Sequence, residues 1–275
     1  MNVVHLTWAM TAARFIVCVA LCGAGCHMSN PSVDDDLSAA QKLRADRLIS
    51  VFENDTIELQ YAYIEDIGDG RGYTAGRAGF TTATSDLLLV VERYTAIVPV
   101  NALATYLPRL RELAADESSA TDGLDGLPQA WTKASNDPSF RSVQDDVVDE
   151  EYFQPAIVFW RDLGLQTPLA LVELYDANIQ HGAGDDPDGL PAIIDRTVAR
   201  AGGSPATGVD EVDWFYVFLE ERRATLENAF DPETRDAWAE SVYRVEIVKA
   251  IADTGNFAFD GPIVINTPDH KATIP

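Results

Sequence analysis

The 275 residues, 47% apolar and 23% charged, suffice for one large soluble domain or two lobes sharing a core. Asp and Glu number 44 against 20 Lys and Arg, a net charge of −24, which excludes nucleic acid as a partner because its phosphates call for basic patches. A field this negative favours cationic ligands, although acidity alone also keeps a protein soluble.

Residues 1–26 read as an export leader. His5 and Arg14 precede an apolar run from Phe15 to Ala24 that is too short to span a membrane, and small residues lead to Cys26. "GAGC" resembles a bacterial lipoprotein box, in which Cys26 would carry the lipid; cleavage without lipidation is the alternative. The expectation is a secreted, extracellular protein that touches a membrane only through a lipid at Cys26. All three cysteines (Cys18, Cys22, Cys26) lie in this leader, so the mature chain is expected to have no internal disulfide, no thiolate nucleophile and no cysteine metal site. Residues 27–36 are polar and acidic without a period and read as a tether, with the folded domain spanning 37–275.

From Leu37 to Asn54 the apolar positions follow a helical stripe, with Ser38 as N-cap. Tyr61–Ile64 suits a short strand, "GDGRG" a turn, and Tyr73–Phe80 a return strand with glycine bends, so a small hairpin or sheet is expected. Thr84 or Ser85 then caps a helix with Asp86 in its first turn. Pro108 interrupts the next helical pattern, and Pro155 kinks a long one from Ser139 to Gly164, read as a bent central helix. Three further helical stretches follow, and the tail from Asn256 is irregular. Trp131, Trp160, Trp214 and Trp238 fall in helical patterns and are assigned to core packing. "HGAGDDPDG" from His181 lacks the spacing of a calcium loop and reads as a helix end, with His181 packing rather than ligating.

Two carboxylates stand out by position. Glu53 ends the first helix, where the partial negative charge of the helix end disfavours the ionised form. With burial added, that raises a carboxyl toward the range of a general acid, although a surface glutamate at a frayed helix end has the same sequence. Asp69 lies among glycines that permit unusual backbone angles and leave open space, a setting for a carboxylate that activates water; an ordinary Asp-Gly turn reads the same way.

"FEN", then "YAYIEDIGDGRGYTAGRAGF", "TSD…VERYT" and "YDANIQHGAGDDP" together resemble the glycoside hydrolase family 46 chitosanases, from about Leu37 onward and most strongly over Ser50–Thr95 and Leu174–Asp186. The family cysteine near Phe80 is replaced by Thr81. The resemblance implies a mainly α (α+β), lysozyme-like fold of two lobes, with a small β-sheet at the active-site cleft. It implies endo-acting, inverting hydrolysis of a β-1,4-linked glucosamine polymer, chitosan, by a monomer without metal or cofactor. Glu53 would be the general acid, Asp69 the general base, and Thr74 would hold the water. Arg71 and Asp86 would contact substrate, with Asp55, Tyr63 and Thr84 as further contacts. Asp176, Arg222 and Arg235 would form a charge network supporting Glu53. Two other readings are a peptidoglycan-cleaving muramidase or transglycosylase of the same fold, and a non-catalytic acidic lipoprotein that binds a cationic polymer.

Overall fold

The computed structural model describes residues 36–275 apart from 69, 231, 233 and 234. The expected leader, its cysteines with the lipidation site Cys26, residues 27–35 of the expected tether, and Asp69 lie outside the described residues. The last residue of that tether, Asp36, is pinned: its carboxylate takes Arg161 Nη2 at 2.7 Å. Among the described residues, no helix is long and apolar enough to cross a membrane.

The chain is mainly helical. The first helix, α1 (Ala39–Asn54), starts as its sequence suggests. Gln41 N–H donates to Ser38 Oγ at 3.3 Å, and Gln41 Oε1 accepts from the Ser38 N–H at 2.9 Å, so two backbone donors at the helix start are satisfied reciprocally. The expected small sheet is three-stranded and antiparallel: β1 (Ile64–Asp66), β2 (Tyr73–Ala75) and β3 (Phe80–Thr81), with Glu65 facing Thr74 and Thr74 facing Thr81. Strand β1 begins later than the Tyr61–Ile64 alternation predicts, because Tyr61 and Ala62 form a turn.

Helix α2 (Asp86–Ile97) starts without the side-chain cap expected from Thr84 or Ser85. Pro108 opens α3 (Leu107–Ala115) instead of breaking it, since the first turn needs no N–H there. After α4 (Leu127–Ala134), α5 (Pro138–Val148) is capped by the Asp137 carboxylate on the Ser139 N–H at 2.9 Å. The expected break at Pro155 is a π turn, Asp149–Phe153, that hands the helix on to α6 (Gln154–Asp162). Gln154 N–H reaches back to the Asp149 carbonyl, five residues away, and this widened ring accommodates the donor that proline lacks. Helices α7 (Pro168–His181), α8 (Leu190–Ala201), α9 (Glu211–Glu227), α10 (Arg235–Glu240) and α11 (Tyr243–Asp253) follow. The tail is not irregular as expected: β4 (Ile263–Asn266) and β5 (Lys271–Ile274) pair as an antiparallel hairpin that buries Ile263, Ile265 and Ile274 by alternation.

Two compact units share the chain. One, residues 50–154, holds the sheet and α2–α5. Its core joins Leu87, Val90 and Val91 of α2 to Trp131 and Phe140, whose rings meet edge-to-face at 4.9 Å. The other comprises residues up to Ile49 and those from Pro155 onward, with Trp214, Phe215 and Phe218 of α9 in its core. Trp131 and Trp214 are fully buried as expected, whereas Trp160 and Trp238 are half-exposed.

Candidate functional site

Glu53 sits in the last turn of α1, half-buried, at a helix end that has no basic residue in its last turn. Asp55 then stops the helix in the left-handed region, φ 53°, its N–H still bonded to the Val51 carbonyl at 3.0 Å. Ser50 Oγ donates to the Glu58 carbonyl at 3.0 Å and folds the outgoing loop back against the helix end. The acid predicted from sequence therefore stands on a braced helix terminus. Asp55 itself is exposed.

In the glycine-dense turn between β1 and β2, Gly68, Gly70 and Gly72 are left-handed, with φ of 73°, 82° and 75°. Gly72 has a second constraint. A Cβ there would stand 2.1 Å from Thr82 Oγ1 and 3.1 Å from the Ser119 carbonyl, so only glycine lets the turn lie against both. Thr82 in turn donates its hydroxyl to the Arg71 carbonyl at 3.1 Å. Just after the turn, in β2, Thr74 is buried, and its Oγ1 has no hydrogen-bond partner among the described residues. Tyr63 precedes β1 and directs its hydroxyl at Glu65 Oε2, 3.4 Å away.

Asp86 is held with more care than a first-turn acid needs. Its Oδ1 accepts from the N–H groups of Thr81 at 2.7 Å and Leu87 at 2.9 Å, and from the Thr84 hydroxyl at 2.7 Å. The Thr84 N–H meets Thr81 Oγ1 at 3.2 Å, and Ser85, between Thr84 and Asp86, adopts a left-handed φ of 74°. All three donors converge on one oxygen, Oδ1. Burial pushes the Asp86 carboxyl up to about 6, against the hydrogen bonds that work to lower it.

Sequence reading missed Tyr152. It lies on the π turn, and burial raises its hydroxyl above the ordinary tyrosine range. The charges of Asp86, Glu151 and Glu53 add to that rise, and Arg71 opposes it. Four side chains from α1, the glycine-dense turn, α2 and the π turn therefore share one electrostatic neighbourhood. The only advance signal for Tyr152 was Pro155, since π turns gather at functional positions.

The expected charge network lies in the other unit and differs in one member. Arg222 is fully buried and donates to Glu173 Oε1 at 2.8 Å, Asp176 Oδ2 at 2.6 Å and Gln180 Oε1 at 2.7 Å. The second guanidinium on Asp176 belongs to Arg244, whose Nη2 reaches Oδ1 at 2.6 Å. Arg235, expected in that place, begins α10 and donates Nε to the Ala229 carbonyl at 3.1 Å. Arg244 and Glu173 were not foreseen. Burial works to raise Asp176, but the two guanidiniums outweigh it and hold the carboxyl low; Glu173 is pushed up, mainly by burial and also by the charge of Asp176, against the pull of Arg222 and Arg244. His181 packs as expected: its Nδ1–H donates to the Asp188 carbonyl at 3.0 Å, and Nε2 accepts from Arg222 Nε at 3.4 Å. Among the described residues, no group of His, Cys, Asp or Glu is arranged to hold a metal ion.

The mainly helical fold carries a half-buried glutamate on a braced helix end, an aspartate anchored at the start of α2, and a small sheet with a buried hydroxyl that has no partner among the described residues, groups of the kind a glycoside hydrolase uses. The chain belongs to Glycosyl hydrolase family 46, whose family model matches residues 47–263. It is 50% identical over 234 residues to a chitosanase of Bacillus subtilis, covering 85% of this chain and 84% of that one. It is 40% identical over 194 residues to a chitosanase of a Streptomyces species, with 68% of each chain covered. Among solved structures, a chitosanase of Gynuella sunshinyii in complex with chitotetraose superposes with a TM-score of 0.78 at 52% identity, covering 87% of this chain and 99% of that one. A native chitosanase of Bacillus subtilis does so with a TM-score of 0.79 at 49% identity, covering 87% and 100%.

Proposed function

We propose that this chain is an exported endo-chitosanase that cleaves β-1,4-linked glucosamine polymer by inverting single displacement. Glu53 protonates the glycosidic oxygen, and Asp69 takes a proton from the attacking water. The observation that carries the reading is the Thr74 hydroxyl: buried, without a partner among the described residues, and two residues beyond the turn that contains Asp69 in sequence. A buried hydroxyl with no partner costs about 1–3 kcal/mol unless a water meets it, so Thr74 is suited to hold the nucleophilic water. Asp86 Oδ2 meets the substrate's ammonium group, with Arg71, Tyr63, Thr84 and Asp55 as further contacts. The surplus of acids concentrates a cationic polymer near the protein.

An inverting pair of carboxyls stands about 6.5–9.5 Å apart to admit the water. Its signature is the anomer formed first. By proton NMR, a glucosamine oligomer should yield the α-anomer initially, and early β-anomer sinks the single displacement. Glu53→Gln and Asp69→Asn should each lose most of kcat while still binding oligomer. Incubation with bacterial cell walls tests the muramidase reading: solubilised peptidoglycan with chitosan left intact would replace this proposal. Chitosan bound without a fall in solution viscosity would favour the non-catalytic reading. Export rests on residues 1–26, with Cys26 as lipid anchor; metabolic labelling with a fatty acid, lost in Cys26→Ser, tests it.

A further inference from the structure

We propose that Gln144, an α5 side chain outside the reacting groups, is a positioning residue that clamps the base of the β1–β2 hairpin and thereby fixes the turn that holds the general base; this rests on the reading of Asp69 above. Gln144 is fully buried. Its Nε2 donates to the carbonyl of Tyr61, where the chain enters the hairpin, at 3.1 Å. Its Oε1 accepts the N–H of Arg77, where the chain leaves it, at 3.1 Å. The amide fits in one orientation only, because the carbonyl needs a donor and the N–H needs an acceptor. One side chain thus ties the two open ends of a hairpin whose closed end is the glycine-dense turn.

The neighbouring residue repeats the grip through side chains. Asp145 accepts from the Tyr61 hydroxyl at 2.8 Å and pairs with the guanidinium of Arg77, whose side chain is 5% exposed. Trp131 Nε1 adds a second donor to the Tyr61 carbonyl at 3.0 Å. The close approach is enforced by Gly76, in the left-handed region with φ 71°: a Cβ there would stand 2.4 Å from Gln144 Oε1 and 2.8 Å from the Phe80 ring. Glycine at 76 thus lets the amide reach the Arg77 N–H. The reason this matters for chemistry is lever length. The hairpin is three residues long on each strand, so a shift at its base carries into the turn and into Thr74 with little to absorb it. Misplacing a catalytic group by about 1 Å can cost 10²-fold in rate.

The test compares Gln144→Met, which keeps the volume and removes both bonds, with Gln144→Glu. A protonated glutamic acid presents one donor and one acceptor as glutamine does; its ionised form has no donor and sets an acceptor oxygen against the Tyr61 carbonyl. For Q144M, assayed at least 20 °C below its own melting temperature, kcat on chitosan should fall by about 10–100-fold with KM within threefold. A purely structural role lowers Tm and leaves kcat at that temperature unchanged, so kcat within twofold of wild type overturns the proposal. Q144E should recover kcat to within threefold at the acid end of the assay range; Q144E as slow there as Q144M also overturns it. If Q144M does not fold, Q144E alone decides: recovery at acid pH with decline toward neutral supports the clamp, and a low, flat ratio to wild type sinks it. Asp69→Asn run alongside separates the two readings. Near-normal turnover by that variant sinks the role of Asp69, whereas a silent Q144M beside an inactive D69N sinks only the clamp.

Discussion

The Thr84 hydroxyl and Asp86 Oδ1 meet at 2.7 Å, on the same oxygen that already accepts the N–H groups of Thr81 and Leu87. Three donors fix the carboxylate without neutralising it, and burial still lifts its pKa from 3.8 to about 6. A raised carboxyl contributes stability that is complete below the unfolded pKa and is lost as pH rises through the folded one. Ionised Asp86 is therefore a cost to the fold at neutral pH. Asp86→Asn keeps an oxygen for the three donors and removes the charge. It should raise stability by about 1–2 kcal/mol at pH 7, and the gain should fade as pH falls from about 6 to about 4. The same variant should raise KM for chitosan by roughly tenfold or more with a smaller change in kcat, as expected for a lost charge contact. Thermal melts across pH check the first part and initial rates the second; a destabilised D86N with unaltered KM refutes both.

Thr74→Val separates chemistry from folding. The Oγ1 has no partner among the described residues, so its removal deprives none of them of a hydrogen bond. Stability should be unchanged or higher by roughly 1 kcal/mol. Turnover should fall by about 10²-fold, because the water loses one of the groups that orient it. Unaltered kcat in T74V, measured on the same oligomer used for the anomer assay, would remove Thr74 from the mechanism.

The buried network offers a test of stability alone. Arg222 is the shared partner of Glu173 and Asp176, all three of them inaccessible to solvent. Arg222→Met removes the hydrogen bonds of Arg222 to both buried carboxylates and leaves Arg244 bonded to Asp176, and breaking such a cluster costs about 3–5 kcal/mol. For a chain of this size that is a fall of roughly 10 °C in Tm. Arg235→Met should cost much less, since among the described residues its Nε serves only the backbone carbonyl of Ala229, ahead of α10. Equal losses in the two variants would mean that the hierarchy of the network is wrong.

Elements whose causes are local were legible in the sequence. Ser38 and Gln41 sit three residues apart, and the glycines around Asp69 mark a turn whatever surrounds it. Glu53 at the end of α1 was legible for the same reason. What escaped depends on partners far along the chain. Gln144 meets Tyr61 across 83 residues, and Arg244 meets Asp176 across 68; neither end carries a pattern that points to the other. Pro155 announced an interruption, but whether the helix breaks or widens is decided by packing on both sides of it. In the hairpin at Ile263–Ile274, β4 reads Ile-Val-Ile-Asn without an apolar–polar alternation and β5 alternates over only four residues, too little to stand out from an irregular tail.

His181 predicts how the fold responds to acid. Burial and the nearby positive charge of Arg222 hold its imidazole well below the ordinary range, and both ring nitrogens are committed: Nδ1–H donates to the Asp188 carbonyl, and Nε2 accepts from Arg222. Protonating Nε2 would place a cation against a guanidinium inside the core. The unfolded chain takes up that proton near pH 6.5, whereas the folded chain does so only at much lower pH. The histidine's contribution is therefore complete above about pH 6.5 and declines below it, by up to about 1.4 kcal/mol per pH unit. His181→Gln carries no titrating group. It should be less stable than wild type at pH 7.5, and the difference should narrow as pH falls from about 6.5 to about 4.5. Melting curves of the two proteins at matched ionic strength measure this directly, and a gap that is constant over that range would show that His181 is not held neutral.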